Sequence, residues 1–138
     1  MIAFHGKKST KTQYLKRVRA HAAADEIIKG RYWEAGKGCA VGCTIHSAEH
    51  SAYETELGIP AEIAYLEDCL FEALPNGKAK SFPEKFLAAI PVGADLSKVA
   101  TEFHLWLLID AKAGVIRFAD GFPDVHAAIE GVAALHRR

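Results

Sequence analysis

Apolar and polar positions alternate along most of the chain at the three-to-four-residue spacing of amphipathic helices. Tyr14, Leu15, Val18, Ala22 and Ile28 fall on one face of a first helix. Ser9 or Thr10 is placed to cap its start, and Gly30 to end it. A second helix is expected from about Cys39 to Leu57. Gly42 weakens it, and Ser51 to Glu54 reads as a capping box where it can break and restart. Gly58 closes it, and Pro60 opens a third helix striped by Ile59, Ile63, Leu66, Leu70 and Leu74, whose acids Glu62, Glu67, Asp68 and Glu72 read as its wet face. After the turn signal Pro75-Asn76-Gly77, Pro83 begins a short fourth helix with Phe82, Phe86 and Ile90 on one side.

Asp95 or Ser97 is placed to cap a fifth helix that buries Leu96, Val99, Phe103, Trp106 and Leu107; it is apolar nearly all round, as a central helix would be. Residues 104–118, with Val115 to Phe118 as a short strand, also fit a β-hairpin. A last helix starts at Asp124 and buries Val125, Ile129, Val132 and Leu135. The pattern predicts an all-α fold, a compact orthogonal or antiparallel bundle of five or six helices joined by short loops, with residues 1–138 as one domain and 1–8 a flexible basic terminus.

Composition agrees with a packed domain: 138 residues, 50% of them hydrophobic, enough to bury a core without disulfides or metals. The longest apolar run, Leu105 to Ile109, is far shorter than a membrane span, and the N-terminus has no secretory pattern, so the expected location is cytoplasmic. Three cysteines, an odd number, then read as reduced thiols.

Net charge is zero, from 17 basic and 17 acidic residues, but it is unevenly spread. Lys7, Lys8, Lys11, Lys16, Arg17 and Arg19 give residues 1–21 a charge of +6 with no acid, whereas residues 49–102 carry ten acids and four lysines. Such halves can pair within one chain or across a homodimer. The basic arm also makes a nucleic-acid accessory role conceivable, although nucleic-acid readers are usually basic overall.

One stretch concentrates chemistry. From Gly36 to Glu54, Cys39, Cys43, His46 and His50 are spaced four, three and four residues apart, so in a helix they share a face. These are ligands suited to zinc. On an unbroken helix Cys39 and His50 would lie about 16 Å apart, so one ion takes at most a pair and needs ligands from elsewhere. His46-Ser-Ala-Glu49-His50 resembles the H-x-x-E-H pattern of inverted zinc proteases, in which two histidines hold the ion and the glutamate, here Glu49, activates its water; Glu130 or His126 could complete the set.

A thiol reading places Cys39 at a helix N-terminus beside Lys37, where both favour thiolate, or pairs Cys43 with His46. The plain alternative is a core face of small residues with satisfied histidines. No nucleophile, base and orienting group assemble from the sequence, so it favours a protein that acts by binding or assembly over an enzyme, with a metal- or thiol-dependent site as the alternative.

Overall fold

A computed structural model describes residues 1–137. Among them are eight α-helices, one two-residue hairpin and two 3-10 turns: α1 (Lys8–Ala23), β1 (Trp33–Glu34), β2 (Lys37–Gly38), α2 (Ala40–Ile45), α3 (Ala52–Leu57), α4 (Ala61–Ala73), α5 (Asn76–Ala79), α6 (Phe82–Ala89), α7 (Val99–Ile109) and α8 (Pro123–His136). The fold is mainly α, as the periodicity implies. The chain divides into two compact units, Met1–Ser97 and Lys98–Arg138.

In the first unit α1 packs on α2 and α6, and α2 packs on α4. Its core holds Val18, Val41, Tyr53, Leu57, Ile59, Phe71 and Leu87. The N-terminal segment, expected to be flexible, is part of that core. Phe4 is 0% exposed, the Ala3 N–H donates to the Ala94 carbonyl at 2.9 Å, and the Gly93 N–H donates to the Ala3 carbonyl at 2.9 Å. The segment crosses the end of α3, where Gly58 has φ +64° and a Cβ would overlap the Ile2 carbonyl oxygen, so only glycine fits.

The expected second helix is two helices. His46 ends α2 in the left-handed conformation at φ 55°, and α3 restarts after Ser51, at the capping-box position. The β1–β2 hairpin lies just before α2, and the Cys39 N–H donates to the Arg31 and Tyr32 carbonyls at 2.7 and 3.1 Å. Gly42 has a packing reason the sequence reading did not give it: a Cβ there would overlap the Tyr32 carbonyl oxygen. In α4 the buried face is Ile63, Ala64, Glu67 and Phe71; Ile59 and Ile63 of the predicted stripe are buried, but Leu66, Leu70 and Leu74 are only half-buried and Glu67 points inward and not to water.

In the second unit, residues 104–118 do not form a hairpin. α7 continues to Ile109, Asp110 Oδ1 caps the following turn by accepting the Lys112 and Ala113 N–H groups at 2.9 and 2.8 Å, and Val115–Phe118 is a 3-10 turn. α7 packs on α8 and on that turn. It is not a sealed central helix: Val99, Trp106 and Leu107 are exposed. No helix among the described residues is long and apolar enough to cross a membrane.

Candidate functional site

The four predicted ligand residues part company. Cys39 caps α2, its sulfur accepting the Gly42 N–H at 3.4 Å. Cys43, one turn on, donates its S–H to the carbonyls of Gly38 at 3.3 Å and Glu26 at 3.6 Å, and so does not pair with His46. Both sulfurs are buried. Burial pushes each thiol up to about 12, reinforced by the Asp68 carboxyl at Cys39 and by the Glu26 charge at Cys43. Neither is thiolate at neutral pH, contrary to the expectation at Cys39: a helix start and an exposed Lys37 do not offset the loss of solvent.

His46 and His50 are not one helical turn apart, because the helix ends at His46. His46 turns to α1, where its Nε2 lies 2.7 Å from His21 Nε2, while His50 turns to α4. Glu49, the water-activating residue of the zinc-protease pattern, is exposed. His126 and Glu130 lie on α8, in the second unit. Among the described residues, no three His, Cys, Asp or Glu side chains converge as a ligand set.

Of the basic residues, Lys11 donates to the Ala88 and Ile90 carbonyls, Arg17 to the Thr44 carbonyl, and Arg19 to Glu84. The +6 segment is thus partly spent inside the chain.

What the fold builds around His50 is a buried polar cluster. His50 is 6% exposed and lies between two tyrosines: Tyr65 stacks on it at 4.6 Å and Tyr32 meets it edge-on at 5.3 Å. Its Nδ1 lies 3.2 Å from the Ala48 carbonyl. A carbonyl only accepts, so Nδ1 carries a proton toward Ala48. His50 Nε2 faces Asp68 Oδ2 at 3.4 Å, with the Asp68 side chain 14% exposed. His50 Nε2 and Asp68 Oδ1 are both buried without a hydrogen-bond partner. Buried polar atoms left this way are costly unless a partner joins them.

Beneath them Glu67 is 0% exposed and accepts the Tyr53 hydroxyl at 2.7 Å. Burial, and to a smaller degree the Asp68 charge, raises its carboxyl to about 8 against the pull of that hydrogen bond, so it is a neutral acid at pH 7. Burial and the neighbouring Glu67 hold the Tyr53 hydroxyl well above its ordinary range.

Asp68 also borders an open cavity of about 260 Å³, lined by Gly30, Arg31, Tyr32, Asp68 and Glu72. Glu72 Oε1 accepts the Gly30 N–H at 2.9 Å, and Arg31 is drawn off to Glu34 at 2.8 Å. The two carboxylates of the wall therefore face no free cation of the wall itself. A somewhat larger cavity near Asn76, about 310 Å³, is less telling, because Asp25 and Lys80 on its rim already pair at 2.8 Å.

Sequence reasoning named His50 and Cys39 but missed Asp68, Glu67, Tyr53 and Glu72. The available signal was position: Ala64, Glu67 and Phe71 recur at helical spacing, which makes Glu67 an acid on an otherwise apolar face. Compared with known protein families, curated proteins and solved structures, the chain matches none.

Proposed function

We propose that this chain acts by binding a small molecule that carries a cationic, hydrogen-bond-donating nitrogen, an amine or a guanidine, in the cavity between Gly30–Tyr32 and α4. One observation carries the reading: Asp68 lines this cavity, and its carboxylate includes an oxygen, Oδ1, that has no hydrogen-bond partner, next to a His50 nitrogen that has none either. A ligand N–H group at Asp68 supplies the missing donor. Glu72 adds a second negative charge, and the exposed ring of Tyr32 offers an apolar wall for the carbon skeleton. The cavity lies below the usual range for drug-sized ligands, so the ligand is a small metabolite-like cation. Cys39, near Asp68, keeps its proton and is not a nucleophile.

The test is a titration with ethylamine, putrescine and agmatine, followed by amide chemical shifts. Shifts centred on Gly30, Arg31 and Tyr32 that Asp68→Asn abolishes are the expected result. Absence of any localised shift across all three probes, or shifts that survive Asp68→Asn, would sink the reading.

A further inference from the structure

A second cluster, independent of the cavity, sits where α1 meets the end of α2. His21 Nε2 and His46 Nε2 are 2.7 Å apart, with their rings at 87° and their centroids 4.9 Å apart. His21 Nδ1 lies 2.6 Å from Glu26 Oε2. The carboxylate accepts, so it holds the His21 proton on Nδ1 and leaves Nε2 as a lone pair aimed at His46. This is the carboxylate–histidine arrangement that orients a metal-ligating imidazole. Trp33 stacks on His46 at 4.7 Å and 11°, and meets His21 edge-on at 5.6 Å, fixing both rings. The charged groups facing His46 are mixed: Arg17 lies on one side and Glu26 and Glu56 on the other. His46 also holds a left-handed backbone at φ 55°, which is uncommon for a residue other than glycine.

We propose that His21 Nε2 and His46 Nε2 are adjacent ligands of a divalent transition-metal ion of the copper or nickel type, with Glu26 orienting His21 and the other positions taken by water or a small ligand. Metal–nitrogen bonds of about 2.05 Å put two ligands about 2.9 Å apart at a right angle and about 3.3 Å apart at a tetrahedral one. The observed 2.7 Å, a hydrogen bond between the two rings in the free protein, lies nearer the first spacing, that of a square-planar or octahedral ion, than that of tetrahedral zinc. On binding, the His46 proton moves from Nε2 to Nδ1, so both nitrogens can ligate with no net proton lost.

Untagged protein titrated with Cu²⁺ and Ni²⁺ tests this. Copper is expected to bind tighter than nickel and to show hyperfine coupling to two imidazole nitrogens in its electron paramagnetic resonance spectrum. His46→Asn, which suits a left-handed position, keeps the fold and is expected to lose one coupling and at least tenfold in affinity. Glu26→Gln is expected to weaken binding about 10- to 100-fold. Copper binding unchanged in His46→Asn overturns the proposal. So does binding lost instead in His104→Ala, whose ring lies 5.2 Å from His136 in the second unit.

Discussion

The fully buried Glu67 makes the stability of the first unit depend on pH in a direction opposite to that of most acids. Its carboxyl is raised to about 8 in the fold against an ordinary 4.5. Between those values the folded chain keeps a proton that the unfolded chain has released, so stability falls as pH rises. The contribution is whole below the unfolded value and is lost progressively until pH passes the folded one. At about 1.4 kcal/mol per unit, the raised carboxyl costs roughly 3 kcal/mol between pH 6 and pH 9.

Glu67→Gln removes the titration and keeps an acceptor for the Tyr53 hydroxyl. Urea unfolding at the two pH values, followed by Trp33 fluorescence in a Trp106→Phe background, measures both proteins. Other titrating groups cancel when the variant is subtracted. Wild type is expected to lose roughly 3 kcal/mol more than Glu67→Gln over this interval. Parallel behaviour of the two proteins would show that Glu67 ionises without penalty, and the account of a neutral buried acid would be wrong.

Gly42→Ala drives a methyl into the Tyr32 carbonyl; it is expected to destabilise the first unit by about 1–3 kcal/mol, read by urea unfolding, and to weaken amine binding because Tyr32 walls the cavity. Phe4→Ala is expected to cost about 3–5 kcal/mol in the same assay, whereas a flexible arm would cost nothing. In native protein a thiol reagent is expected to label the exposed Cys69 quickly and Cys39 and Cys43 only on unfolding; rapid labelling of either buried cysteine would contradict their raised thiols. Tyr53→Phe takes the hydroxyl away from Glu67 and is expected to cost about 1–3 kcal/mol in urea unfolding, since it leaves a buried carboxyl oxygen unpaired.

Much of the helix layout was legible because it rests on local pattern. Pro60 and Pro83 stand at the starts of α4 and α6, and α3 restarts after Ser51 as expected, although Ser51 makes no capping hydrogen bond. The site was less legible because it rests on facing. Leu66, Leu70 and Leu74 continue the visible stripe from Ile63 on α4, yet beyond Ile63 the helix buries Ala64, Glu67 and Phe71. A hydrophobic count cannot rank two overlapping stripes; the neighbours do that, here Tyr53 through its hydroxyl.

Likewise, spacing alone put Cys39, Cys43, His46 and His50 on one face. A single left-handed residue at His46 sends the two histidines to different helices. His21 was invisible as a partner because its contact is made across 25 positions of sequence. The apolar length of α7 was legible, but not which side of it would stay exposed.

The docking of Ala3 and Phe4 against Gly93 and Ala94 has a consequence for how the first unit forms. Residues 2–4 meet α1 and α3 as well, but their backbone partners Gly93, Ala94 and Asp95 follow only when nearly the whole unit has been made. Until then the Ala3 N–H and carbonyl lack those partners. Closing so long a loop late is slow and leaves an unpaired backbone edge open to aggregation. The unit is therefore fastened last by its first segment. A growing chain halted shortly before Gly93 should be a good chaperone client, and one a few residues longer, once clear of the exit tunnel, should not.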